Sequence, residues 1–104
     1  MQIVFKQAYL SDLYFTQASD KKHRFQPEVI KKYIKVVNIL KNAKVIEDLF
    51  PFHSLNYEKL SGSKAGLESV RVTDKYRLEF QTERMDGEVI VTVCNILELS
   101  NHYQ

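Results

Sequence analysis

Apolar and polar residues alternate with a period of two along Ser69–Phe80, read as S-V-R-V-T-D-K-Y-R-L-E-F. That alternation predicts two half-buried strands joined by a turn. A three-residue loop, Thr73-Asp74-Lys75, pairs Val72 with Tyr76 and Val70 with Leu78 on one face and sets Arg71 opposite Arg77 on the other. A two-residue loop mixes the faces, so the apolar pattern selects the odd loop. Like charges facing each other on a sheet are unfavourable. Two readings of this pair stand open. Either an anion sits between the guanidinium groups, whose geometry suits a phosphate, or Glu79 or Glu68 screens both and nothing binds.

The rest of the pattern fits around this hairpin. Gln2–Lys6 reads as a short strand with Ile3 and Phe5 on one side. A first helix is predicted to start near Ser11, a suitable N-cap, and to carry Leu13, Tyr14 and Phe15. After a polar loop, Pro27 opens a second helix at a position where proline is tolerated. Ile30, Tyr33, Ile34, Val37 and Leu40 fall on one stripe, with Lys31, Lys35, Asn38 and Lys41 largely outside it. Val45–Phe50 adds a helical turn before Pro51, and His53–Gly62 reads as an irregular connection. Met85-Asp86-Gly87 is a turn, because Asp-Gly readily takes positive φ. Glu88–Leu97 then forms a strand in which Val89, Val91 and Val93 oppose Ile90, Thr92, Cys94 and Ile96, so it is a central strand covered at least in part on both sides. The expected fold is α+β: a short N-terminal strand, two helices, then a mostly antiparallel sheet.

At 104 residues the chain is expected to be one domain spanning 1–104. Its 44% hydrophobic and 27% charged residues are ordinary for a globular protein. No run approaches the roughly 18 apolar residues of a membrane span, and no basic stretch precedes Ile3-Val4-Phe5 as in a signal peptide. The lone Cys94 fits a reducing cytoplasm and supplies no disulfide or metal framework. The net charge of +2 conceals an asymmetry. Lys21–Lys44 holds eight Lys or Arg and one acid, whereas from Val45 onward ten acids accompany six Lys or Arg. One surface is thereby expected to meet a polyanion or an acidic protein, the alternative being a solvated helix face.

Leu55–Gly62 (L-N-Y-E-K-L-S-G), the R-V-x-x-x-Y-R core of the hairpin and the ending L-E-L-S-N-H-Y together resemble the HigB-like branch of the RelE/ParE toxin superfamily. The resemblance covers most of the chain. It implies the toxin of a type II toxin–antitoxin pair: a cytoplasmic endoribonuclease that cleaves mRNA on the ribosome without a metal or cofactor, partnered by a helix-turn-helix, HigA-like antitoxin. The ParE branch instead inhibits DNA gyrase, and an inert RNA- or protein-binding module is a third possibility. On the nuclease reading, Arg71 and Arg77 hold the scissile phosphate, His102 is general acid or base, and Tyr103 hydrogen-bonds the phosphate or 2′-OH or stacks on a base. Lys59 and Lys64 supply charge at the rim, and Lys31, Lys35 and Lys41 bind RNA. Some members end Tyr-His where this chain has His102-Tyr103, so the two roles are exchangeable. Where others carry H-P-L-K-G, this chain has Glu58-Lys59-Leu60-Ser61-Gly62. That counts against a two-histidine mechanism and leaves Glu58 as a candidate base, with Lys59 as a substitute for the missing lysine.

Overall fold

A computed structural model describes residues 1–99, so the expectations for His102 and Tyr103 lie outside the described residues. Strand β1 (Gln2–Phe5) leads into helix α1 (Ala8–Phe15) and helix α2 (Pro27–Asn42). Two short 3-10 turns, Ile46–Leu49 and His53–Leu55, follow before β2 (Glu58–Lys59), β3 (Glu68–Arg71), β4 (Tyr76–Met85) and β5 (Glu88–Glu98). The five strands form one sheet in the order β1-β5-β4-β3-β2, parallel between β1 and β5 and antiparallel elsewhere. The α+β outline and the mostly antiparallel sheet agree with the pattern of the sequence.

The core lies between the helices and one face of the sheet. Leu10 and Leu13 of α1 and Ile30, Tyr33, Val37 and Leu40 of α2 meet Val70, Leu78, Phe80, Val91 and Val93 there. Tyr33 is fully buried, and its hydroxyl donates to the Leu10 carbonyl at 2.8 Å, locking α2 to α1. The β4–β5 turn has Asp86 at φ 53° and Gly87 at φ 79°, the paired left-handed residues of a tight hairpin.

Helix α1 begins at Ala8, not near Ser11, which lies inside it; the N-cap is Gln7, without a side-chain cap bond. The reason is tertiary. β4 pairs Glu79 with Asn95 but Phe80 with Val93, so Cys94 is the extra residue of a β-bulge. Gln7 Nε2 donates to the Cys94 carbonyl at 3.0 Å, and the Ile96 N–H donates to the Tyr9 hydroxyl at 3.2 Å. The first turn of α1 thus satisfies backbone groups that the bulge and the end of β1 leave without a strand partner. The bulge also corrects the face expected for Ile96. It packs against the same core as Val91 and Val93, because the extra residue resets the alternation.

Burial raises the hydroxyl pKa of Tyr33 and Tyr57 well above the usual tyrosine range, and raises that of Tyr9. An unfolded chain gives up these protons near pH 10 while the fold still holds them, so the unfolded state binds fewer protons above that pH. Their contribution to stability is intact below about pH 10 and lost as the pH climbs beyond it. Thermal melts from pH 8 to 11 are expected to show Tm falling above about pH 10, with a smaller alkaline fall in Tyr33→Phe. The same variant should cost about 1 kcal/mol at neutral pH through the lost hydrogen bond. An alkaline fall of equal size in Tyr33→Phe would show that other groups drive it.

Candidate functional site

The hairpin adopts the odd-loop register: Val70 faces Leu78 and Arg71 faces Arg77 across β3 and β4. The Val72 N–H donates to the Tyr76 carbonyl at 2.9 Å, and the Thr73 hydroxyl accepts from the N–H groups of Lys75 and Tyr76 at 3.2 Å each, which closes the turn. Val70 and Leu78 occupy the core, so alternation sends Arg71 and Arg77 to the sheet face turned away from the helices.

Arg77 is the more enclosed of the two, with a side chain 12% exposed. Its Nε donates to Ser69 Oγ at 3.0 Å, and one terminal nitrogen donates to the carbonyl of Asn56 at 2.7 Å and that of Ser69 at 3.3 Å. Asn56 presents its carbonyl from a left-handed conformation, φ 48° and ψ 54°. Glu58, on the adjacent β2, reaches Arg77 at 4.0 Å. Arg71, 38% exposed, instead pairs with Asp74 in the hairpin loop.

The acids that face the arginines are therefore Asp74 and Glu58. Glu79 does share the arginine face, but Lys64 Nζ holds its buried carboxylate at 2.7 Å. Glu68 belongs to the opposite face, buried, where it accepts from the Tyr57 hydroxyl at 2.5 Å and the Thr82 hydroxyl at 2.7 Å. Burial first, then the Glu68 carboxylate, pushes the Tyr57 hydroxyl pKa upward.

The structure brings Arg71, Arg77, Glu58 and Lys64 to one sheet face. It does not bring Lys59 there. Lys59 pairs with Glu68 in the β2–β3 ladder and lines a groove of about 720 Å³ with Glu68, Tyr57 and Phe50. The single step from Glu58 to Lys59 turns the side chain to the other face. Lys31 and Lys35 are exposed on the side of α2 away from its buried stripe, and Lys41 is exposed near its C-terminus. These three form a separate surface from the arginine face, because α2 covers the opposite side of the sheet. Ser69 and Asn56 were absent from the residues picked out by sequence. Ser69 has a signal in retrospect, since the register that pairs Arg71 with Arg77 sets Ser69 diagonally beside Arg77. Asn56 has none, because only its backbone is used.

The last strand runs past this face. Leu97 pairs with Arg77, Glu98 with Tyr76, and the Leu99 N–H donates to the Lys75 carbonyl at 2.7 Å. The described chain therefore ends beside the tip of the hairpin that carries both arginines. Chemically, two guanidinium groups and an ammonium near one open face suit an oxyanion or a phosphodiester.

Among solved structures, the fold is similar to a YoeB/ParE toxin from Agrobacterium tumefaciens, with a TM-score of 0.63 and 21% identity over 96% of this chain and 100% of that one. It is also similar to YafQ from E. coli strain BL21(DE3), with a TM-score of 0.61 and 14% identity over 99% of this chain and 98% of that one. A YoeB–YefM complex from Staphylococcus aureus follows, with a TM-score of 0.55 and 18% identity over 96% and 98% of the two chains. No curated protein matches the sequence. Residues 3–95 match the family described as the RelE-like toxin of the type II toxin–antitoxin system HigB. With that match spanning nearly the whole described fold, the chain belongs to the HigB-like family of RelE-like type II toxins.

Proposed function

We propose that this toxin is a metal-independent endoribonuclease that cleaves mRNA on the ribosome in the cytoplasm and is neutralised by a cognate helix-turn-helix antitoxin. The observation that carries the reading is the Arg71–Arg77 cross-strand pair on the open sheet face, with the end of β5 alongside it. In such a cleavage the 2′-oxygen attacks phosphorus and the bond from phosphorus to the 5′-oxygen breaks. The products are a 2′,3′-cyclic phosphate and a 5′-hydroxyl. Arg77, aimed by Ser69 and Asn56, and Arg71 stabilise the charge that grows on the non-bridging oxygens. Lys64 stands at the rim, where it neutralises the buried carboxylate of Glu79 beside the arginines. His102 serves as general acid or base and Tyr103 contacts the phosphate, the 2′-OH or a base. Leu99 is hydrogen-bonded at the hairpin tip, and His102 follows it by three residues, a length of chain that spans at most about 11 Å. Glu58, exposed and 4.0 Å from Arg77, is the second candidate base. Lys31, Lys35 and Lys41 form a second basic surface suited to ribosomal RNA.

Programmed ribosomes incubated with purified protein that has first been stripped of metal by dialysis against a chelator provide the test. The full chain should yield fragments with 2′,3′-cyclic phosphate and 5′-hydroxyl ends. A chain lacking His102–Gln104 should yield none while keeping its fold and antitoxin affinity. Intact mRNA alongside arrested gyrase would replace this reading with a ParE-like one. A truncated chain that still cuts would move the chemistry to Glu58.

A further inference from the structure

We propose that the cavity between the hairpin tip and the start of α2 is a second phosphate-binding subsite, which takes a nucleotide flanking the bond to be cut. The proposal rests on the ribonuclease reading above and extends it to Arg24, Lys32, Lys75 and Tyr76, which that reading does not use.

The cavity has a volume of about 490 Å³, within the range usual for sites that enclose a small ligand. Four cations line it: Arg24 and Lys32 from the α2 side, Arg71 and Lys75 from the hairpin. They come from two segments far apart in sequence, so it is the fold that gathers them. Two acids share the lining, Glu28 and Asp74. Asp74 is engaged with Arg71, which leaves Arg24, Lys32 and Lys75 opposed by the single carboxylate of Glu28. The lining therefore carries an excess of two positive charges, a potential that draws anions into a concave space.

The lining also offers an aromatic wall. Tyr76 is half-buried and is held edge-to-face by Phe25, with ring centroids 5.3 Å apart and planes at 75°. A fixed ring beside clustered cations is the combination that binds single-stranded nucleic acid, stacking a base and neutralising its phosphate. Burial, then Glu98, raises the Tyr76 hydroxyl pKa. An acidic peptide would satisfy the cations but make no use of the ring.

Position supplies the third argument. Arg71 lines this cavity and also stands opposite Arg77 on the open face. It therefore bridges the two, so a strand whose scissile phosphate lies at Arg77 can place a neighbouring phosphate in the cavity. A free nucleotide has no such continuity with the arginine face, which is why the ligand is assigned as a continuous single strand of RNA.

The test uses the full chain and a short single-stranded RNA, 2′-O-methylated throughout so that it cannot be cut. Affinity is read by fluorescence anisotropy across a range of salt. Arg24→Ala/Lys32→Ala removes two exposed charges from the cavity, and Lys6→Ala/Arg84→Ala removes two exposed charges from elsewhere. The cavity variant should bind at least about tenfold more weakly at low salt. Its slope of log affinity against log salt should also shrink by about 0.7, because the cavity holds one phosphate and each phosphate contact on a single strand contributes about that much. The control pair should leave the slope within a few tenths of the wild type. If the cavity variant matches the control while the wild type still binds RNA and cuts mRNA on ribosomes, the subsite is wrong and the ribonuclease reading stands. If instead the cavity variant loses only antitoxin affinity, the surface serves an acidic protein and the RNA assignment is overturned. A wild-type chain that neither binds the RNA nor cuts mRNA would remove the ribonuclease reading, and the subsite with it.

Discussion

Replacing Arg77 with alanine is expected to slow mRNA cleavage by about 10²–10³-fold, the usual cost of removing one preorganised donor from a developing oxyanion. The preorganisation is visible in its contacts. Ser69 Oγ and the carbonyls of Asn56 and Ser69 hold the guanidinium from one neighbouring strand and a loop, and only 12% of the side chain is exposed. Part of the damage will be structural, since two good hydrogen bonds vanish and the buried Ser69 hydroxyl loses its partner, at about 1–3 kcal/mol. Single-turnover cleavage measured well below Tm separates the two effects. Ser69→Ala should weaken the aim of Arg77 with a smaller loss of rate. Arg77→Lys should recover only part of it, because an ammonium keeps the charge but not the planar fork. A folded Arg77→Ala protein that cuts within about threefold of the wild type, far short of the expected loss, would show that the phosphate is held elsewhere.

The register behind this prediction was legible from residue types alone. Only an odd loop keeps Val70, Val72, Tyr76 and Leu78 on one face, and that loop obliges Arg71 to oppose Arg77. Helix α2 was equally readable, because Pro27 marks its start and its stripe repeats at the helical period. What the sequence did not show depends on contacts between distant segments. The start of α1 at Ala8 is fixed by Gln7 and Tyr9 reaching the bulge at Cys94. The bulge itself is hidden because Val93-Cys94-Asn95-Ile96 reads equally well with or without an extra residue. The turning of Lys59 away from the arginine face follows from β2, a two-residue strand too short to have a pattern. The tethering of Arg77 by the Asn56 backbone leaves no trace in residue identity at all.

Phe80→Ala should lower stability by about 3–5 kcal/mol. Phe80 is fully buried and sits on β4 where the bulge resets the register, packed among core residues from both helices and the sheet. The cavity term should persist beside the lost transfer energy. For a chain of this size each kcal/mol moves Tm by roughly 4–8 °C, so a fall of about 12 °C or more is expected. Since domains are commonly stable by only about 5–15 kcal/mol, the variant should be close to unfolding at 37 °C. Chemical denaturation with unchanged slope and a lowered midpoint would confirm a loss of native stability. A Tm within a few degrees of the wild type would mean that the sheet slides to close the hole, and the Glu79–Asn95 pairing should then be altered in its hydrogen exchange.

The parallel pairing of β1 with β5 also orders events when the chain is made. Gln2–Phe5 has no strand to join until Ile90–Val93 exist, so the first strand to be synthesised is completed only by the last. The two helices can form early from local contacts, whereas closure of the sheet must await β5 and bring together segments that lie far apart in the sequence. The hairpin bearing Arg71 and Arg77 acquires its flanking strand β5 at that same late stage. A nascent chain still short of β5 thus lacks the neighbour on which its basic face is mounted, and the toxin's sheet can close only after that strand has been made.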